Sequence, residues 1–238
     1  MTKETKDKKE KDLKLIEKMA EAGIHFGHTK SRKHPKMTPY IYHLRGELFI
    51  IDLQSTKKKL EEALNFIKTI VEKRGIILFV GLQAQAKEVT KKVAEECKMP
   101  YVVERWVGGT ITNFENILRR IKNLKEMEEK RKMGEYEKYT KRERALIDKK
   151  IEKMNEIFGG LKNLDRKPDA LFVLGFKDGY IAINEARKKN IPVIALIDTD
   201  GDPTMVDYPI PSNDDTVAAL SFMLDQVKKA IIEAKNKK

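Results

Sequence analysis

Asp198 and Asp200, separated by one residue after the apolar run Ile194-Ala195-Leu196-Ile197, are the side chains in this sequence best placed for covalent chemistry. At the end of a buried strand, Asp-x-Asp-Gly sets the first carboxylate to attack phosphorus and the second to act as general acid beside magnesium. That reaction also needs a later Ser/Thr strand and a cationic helix before another magnesium-binding acid, and about forty residues remain for them. Pro203 and Pro209 stand where a calcium loop would place its glycine and its terminal glutamate. An acidic strand-end turn is therefore expected, with catalysis as the competing reading. Four histidines, His25, His28, His34 and His43, fall within nineteen residues. His25-x-x-His28 has no accompanying carboxylate and cysteine set at zinc spacing, so no metal site is expected.

The residues suited to phosphate lie elsewhere. Gly23 and Gly27 in Ala22-Gly23-Ile24-His25-Phe26-Gly27-His28 permit left-handed or close-packed backbone, and the following residues 29–37 carry Lys30, Arg32, Lys33 and Lys36 with no carboxylate. This segment reads as an irregular cationic loop. A second candidate, Arg105-Trp106-Val107-Gly108-Gly109-Thr110-Ile111-Thr112-Asn113-Phe114, combines a guanidinium, the only Trp and two glycines, with Thr112 or Asn113 as helix cap. It follows a strand's carboxyl end, where α/β folds bind ligands. Gly81-Leu82-Gln83-Ala84 matches no nucleotide fingerprint and reads as a structural turn. The chain's formal charge of +12 and pI near 9.5 favour a polyanionic partner.

Positioning these residues requires a scaffold, and the apolar pattern supplies one. Ile76 to Val80, Tyr101 to Val103, Ala170 to Leu174 and Val193 to Ile197 are short apolar runs of the kind buried on both faces of a parallel sheet. Helical spacing fills the intervals: residues 83–97, 180–189 with Asp178 as cap, and 217–234 preceded by Ser212-Asn213-Asp214-Asp215. Pro39 to Tyr42 and Glu47 to Ile51 flank Arg45-Gly46 as two strands, and Ser55 or Thr56 caps a helix ending at Gly75. Leu13, Ile16 and Met19 mark an earlier helix closed by Gly23.

Residues 112–161 are too long for a crossover and carry two heptad-like stripes, read as an antiparallel helical hairpin. Residues 119–153 within it hold 14 Lys/Arg against 8 Asp/Glu, half of the chain's net charge. The expected organisation is a charged flexible arm over 1–12, an α/β domain over 13–111 and 162–238, and the inserted hairpin. Cys97, the single cysteine, sits at core spacing and implies a reducing setting. No run approaches a membrane span, and the first ten residues have no apolar signal core.

Several long matches, in order along the chain, resemble the bacterial-type ribosomal protein S2 family of the small subunit. They are Ala22 to His28, Pro35-Lys36-Met37, Pro39-Tyr40-Ile41, Ile50 to Thr56, Arg105 to Gly109 with Thr112-Asn113-Phe114, Pro168-Asp169-Ala170, Ile191 to Thr199, and Ile210 to Asp215. The resemblance implies a flavodoxin-like doubly wound parallel sheet with an inserted antiparallel α-helical coiled-coil hairpin, no catalysis and no cofactor. It implies small-subunit ribosomal RNA and neighbouring ribosomal proteins as partners, no membrane and no obligate homo-oligomer. The expected setting is a cytoplasmic or organellar ribosome. The RNA-contacting residues expected are His25, His28, Lys30, Arg32, Lys33, Lys36, Arg105, Gly108, Gly109 and Asn113. The competing reading is a haloacid-dehalogenase-like phosphohydrolase using Asp198 and Asp200. Three departures accompany the resemblance. Leu82-Gln83 replaces a Thr-plus-basic pair, Lys33-His34 replaces Trp-Asn with loss of a stacking ring, and Asp200-Gly201 replaces Asn-Cys or Asn-Ser.

Overall fold

The computed structural model describes residues 3–236. Its centre is a five-stranded sheet of β4 (Ile77–Gly81), β5 (Tyr101–Val102), β6 (Ala170–Leu174), β7 (Val193–Ile197) and β8 (Tyr208–Pro211). All neighbours are parallel in the order β5-β4-β6-β7-β8, the flavodoxin-like 2-1-3-4-5 arrangement. The strands are apolar along their whole length because helices cover both faces. On one face Phe79, Phe172, Ile194 and Leu196 pack with Leu60, Ile67, Leu220 and Val227, from α2 (Leu53–Glu72) and α7 (Val217–Asn236), and with Val93 of α3 (Ala84–Glu96). On the other face Leu78, Val80, Leu171 and Val173 pack with Ile183 of α6 (Tyr180–Lys188) and with Ile117, Ile121, Ile151 and Phe158. Those last four belong to α4 (Phe114–Lys132) and α5 (Lys141–Phe158). Alternate side chains of each strand thus enter opposite cores.

Two of the strands, β6 and β7, coincide with the apolar runs expected of them. β8 was not foreseen, and its composition explains why. Tyr208-Pro209-Ile210-Pro211 holds two residues without an amide proton, which a strand tolerates at a sheet edge, and β8 is the edge strand. The caps also differ from expectation. Asp52, not Ser55 or Thr56, caps α2, its carboxylate accepting from the Gln54 and Ser55 amides at 3.0 and 3.2 Å. Thr56 instead donates to the Pro211 carbonyl at 2.7 Å, tying α2 to β8. Gly179, not Asp178, precedes α6. Asn113 precedes α4 as expected, but its side chain makes no capping bond.

The first helix, α1 (Lys3–Glu21), runs through most of the segment expected as a charged arm; residues 1 and 2 lie outside the described residues. The segment expected as an irregular cationic loop is more ordered than its composition suggests. Phe26–Thr29 forms β1, which pairs antiparallel with β3 (Leu48–Ile51), itself paired with β2 (Ile41–Arg45). Tight helical turns at Lys30–Arg32 and Pro35–Tyr40 carry the cations between β1 and β2.

α4 and α5 run back along one another. Arg131 pairs with Asp148 at 3.1 Å, and Glu128 accepts from Asn155 at 2.7 Å and Lys162 at 2.8 Å. Leu124 and Ile151 are the outermost buried residues of the two helices, and both join the sheet's own core.

Candidate nucleic-acid interface and the acidic cluster beneath it

The carboxyl edge of the parallel sheet gathers both segments singled out for phosphate. The residue 103–113 loop leaves β5 there. The 26–36 segment is drawn onto the turn after β7: the His28 amide donates to Thr199 Oγ1 at 2.9 Å and the His34 amide to the Thr199 carbonyl at 2.8 Å. Gly27 is required by this contact, because a Cβ there would stand 2.5 Å from Thr199 Cγ2 and 3.1 Å from Asp198 Oδ1. The segment before α7 closes the other side, with the Asn213 side-chain amide donating to the Phe26 carbonyl at 2.8 Å.

Of the expected cations, Lys30, Arg32 and Arg105 are exposed and form no ion pair among the described residues. Lys33 lies 5.2 Å over the Phe49 ring, a cation–π contact. Lys36 is committed within the fold, donating to Asp202 Oδ2 at 2.8 Å and Thr204 Oγ1 at 2.7 Å. Burial pushes the Asp202 carboxyl up, but Lys36 and Thr204 outweigh it and hold the group at about 2. Tyr42, 74% exposed on the small sheet and edge-on to His43, is an aromatic surface that charge patterning had not marked.

The Arg105 to Asn113 loop is organised by a residue the sequence offered no reason to choose. Glu185, in α6 and 7% exposed, points its carboxylate into the loop. Oε1 accepts from the Gly109 amide at 2.7 Å and the Trp106 indole at 3.2 Å; Oε2 accepts from the Ile111 and Thr112 amides at 3.0 Å each and from the Thr112 hydroxyl at 3.1 Å. Burial opposes its ionisation, yet the amides of Thr112, Gly109 and Ile111 with the Trp106 indole hold the carboxyl below its ordinary range. The glycines are not set against the basic segment, as close approach would require. A Cβ at Gly108 meets open space, and at Gly109, where φ is +93°, it meets only Asn113 Cβ at 3.3 Å.

The histidines divide. His25 packs tilted against Phe26 with ring centroids 4.0 Å apart, and its buried Nδ1 makes no hydrogen bond among the described residues. Burial and then Arg45 lower its pKa. His28 turns inward, away from the role of RNA contact expected for it. Its Nδ1 lies 3.0 Å from Asp198 Oδ2, and its Nε2 lies 3.2 and 3.5 Å from Asp200 and Asp215. Contact with Asp198, opposed by burial and reinforced by the charges of Asp198, Asp200 and Asp215, raises the imidazole to about 9. Asp214 beside them is pushed up to about 8 by burial first, then by Asp198, Asp215 and Asp200. Asp214 and Asp215 precede α7, which begins at Val217, and the Asp215 carboxylate faces His28. Asp198 is 1% exposed and its Oδ1 accepts from the Thr199 amide. A nucleophile for phosphoryl transfer must reach its substrate, and this one lies under His28.

With this geometry in view, comparison with known families is decisive. The model of the family described as ribosomal protein S2 matches residues 19–234 of the 238. The chain belongs to that family. Ribosomal protein S2 is a structural component of the small ribosomal subunit and not an enzyme family, which accounts for an Asp-x-Asp-Gly turn with no open substrate path. Membership implies assembly with ribosomal RNA and other ribosomal proteins. No helix among the described residues is long and apolar enough to cross a membrane.

Proposed function

We propose that this chain binds ribosomal RNA through the carboxyl edge of its parallel sheet, contacting the backbone with Lys30, Arg32, Lys33 and Arg105 and a base with Tyr42. The observation that carries the reading is that Lys30, Arg32 and Arg105 are exposed and form no ion pair among the described residues, beside a structural turn. A lysine or arginine already paired within the fold gains little from a phosphate, whereas these release counterions on binding. Gly108 and Asn113, exposed in the same loop, leave room for a phosphate to approach the backbone. Gly109 and His25 support the loop and the small sheet, and Lys36 makes a weaker contact because Asp202 holds it. The α4–α5 pair acts as an inserted coiled-coil hairpin over 112–161, whose excess of positive charge faces RNA beyond Leu124 and Ile151.

The test is the salt dependence of binding to small-subunit ribosomal RNA. Replacing Lys30, Arg32 and Arg105 with glutamine lowers the slope of log affinity against log salt by roughly one unit per lost phosphate contact. Lys36→Gln alone changes the slope by well under one unit. Equal slopes in wild type and the triple variant place the RNA surface elsewhere, and a larger effect from Lys36 than from the other three reverses the assignment.

A further inference from the structure

In the loop between β5 and α4, Arg105, Gly108 and Asn113 are exposed, and each adjoins a residue that Glu185 holds. Arg105 precedes Trp106, whose indole donates to Glu185 Oε1, and Gly108 precedes Gly109, whose amide donates to the same oxygen. Asn113 follows Thr112, whose amide and hydroxyl both donate to Oε2 beside the Ile111 amide. The residues free to meet a partner point outward, and their immediate neighbours converge on one carboxylate.

The loop also bonds to itself, the Thr110 amide to the Val107 carbonyl at 3.0 Å and the Asn113 amide to the Gly109 carbonyl at 2.8 Å. Those bonds shape its turns but do not fix it to the body. Trp106 and Ile111 sink into the core, yet apolar contact is non-directional and sets only their depth. Hydrogen bonds prefer near-linear alignment, so the bonds to Glu185 set the orientation of the loop backbone. Their anchor is firm. Glu185 lies 73 to 79 positions from the Thr112 and Trp106 groups it holds, between Ile183 and Ala186 of α6, both fully buried.

This arrangement carries an electrostatic cost at an RNA surface, where a fixed negative charge repels phosphate. A loop held before contact loses less freedom on binding, and that gain offsets the repulsion. We propose that Glu185 is a positioning residue for RNA binding, one that touches no RNA and holds Arg105, Gly108 and Asn113 in the arrangement the phosphate backbone meets. The proposal rests on the reading of this loop as part of the RNA surface.

Glu185→Gln isolates the role. Each oxygen receives only donors, so the glutamine NH2 opposes N–H groups in either orientation. The full chain is titrated in the cold with small-subunit ribosomal RNA over a range of salt, as wild type, Arg105→Gln, Glu185→Gln and the double variant. Removing an acid beside phosphates strengthens binding by charge alone, whereas lost positioning weakens it. The expected result is a loss of affinity of at least about threefold in Glu185→Gln. Emission from Trp106, the only tryptophan, shifts to longer wavelength as its ring gains water. Arg105→Gln lowers the salt slope by about one unit in the wild-type background and by less than about half a unit beside Glu185→Gln. Leu220→Ala, which weakens the core on the opposite face of the sheet, binds RNA as wild type does and separates positioning from lost stability. If Glu185→Gln does not fold, Trp106→Phe removes one donor while keeping an aromatic ring, and its RNA affinity falls in the same direction. Unchanged or tighter binding by the variant tested, or a full Arg105 effect in both backgrounds, overturns the positioning role and leaves the RNA surface standing. No Arg105 effect in the wild-type background removes the loop from that surface and the positioning role with it.

Discussion

Two loops at the same edge of one sheet bury carboxylates and treat them in opposite ways. Glu185 is a single acid surrounded by donors: three amides, an indole and a hydroxyl converge on two oxygens. The turn after β7 collects several acids around one imidazole and one lysine, and leaves Asp198 Oδ2 without a hydrogen-bond donor among the described residues. The first arrangement is complete within the chain, because backbone N–H groups supply the positive end of each contact at no cost in extra charge. The second is incomplete on its own terms. A carboxylate is therefore informative only through what it receives, and burial alone does not distinguish one satisfied by donors from one balanced by charge.

The sharpest way to break this comparison is to remove each acid in turn. Glu185→Ala leaves several buried donors unpaired, and unsatisfied groups of this kind cost roughly 1–3 kcal/mol each, so a loss of about 3 kcal/mol in unfolding free energy is expected. Asp198→Asn keeps an oxygen for the Thr199 amide and relieves repulsion with Asp214, so its expected loss is below about 1 kcal/mol. Chemical denaturation reads both. Equal losses would mean that the acidic cluster is as well satisfied as Glu185.

Acid pH sharpens the same contrast. Glu185 is held below its ordinary range in the folded protein, so it binds its proton more readily unfolded. The stability it contributes is present above the unfolded glutamate pKa, near 4.3, and is lost as pH falls through the folded value. Glu185→Gln, already weaker at neutral pH, should therefore lose less additional stability than wild type between about pH 5 and pH 3. Parallel pH curves for the two proteins would show that Glu185 does not contribute to acid sensitivity.

How much of this was legible beforehand follows from the range of each interaction. β6 and β7 were readable because an unbroken apolar run is a local signal, and alternating strands and helices pointed to a parallel sheet, whose flavodoxin-like form was implied by the family resemblance. β8 was hidden by its prolines. The caps were misplaced by one to four residues because Asp52 and Ser55 or Thr56, like Asp178 and Gly179, lie within one helical turn of each other and only backbone geometry separates them. At the site, the glycine and cation content of residues 22–37 was visible. The inward turn of His28 was not, because its partner Asp198 is 170 positions away. Glu185 sits in a helix among ordinary charged neighbours, and its partners are 73 to 79 positions distant. Nothing in local composition marks it.

The smallest expected effect concerns the two adjacent glycines, and it separates conformational need from surface contact. Gly109 has φ at +93°, a region that an L side chain enters at a cost of about 1 kcal/mol or more, and its amide is the shortest donor to Glu185. Gly109→Ala should therefore lower stability by about 1–2 kcal/mol and loosen the loop. At Gly108 a Cβ meets no protein atom and no positive φ requires glycine, so Gly108→Ala should change the free protein by less than about 0.5 kcal/mol. If the loop nonetheless lies against RNA, the added methyl is met only in the assembled particle. Incorporation into small subunits should then fall for Gly108→Ala with melting temperature unchanged, and fall for Gly109→Ala alongside its lost stability. Wild-type incorporation by Gly108→Ala would leave Arg105 as the loop's contact and make both glycines matters of backbone geometry.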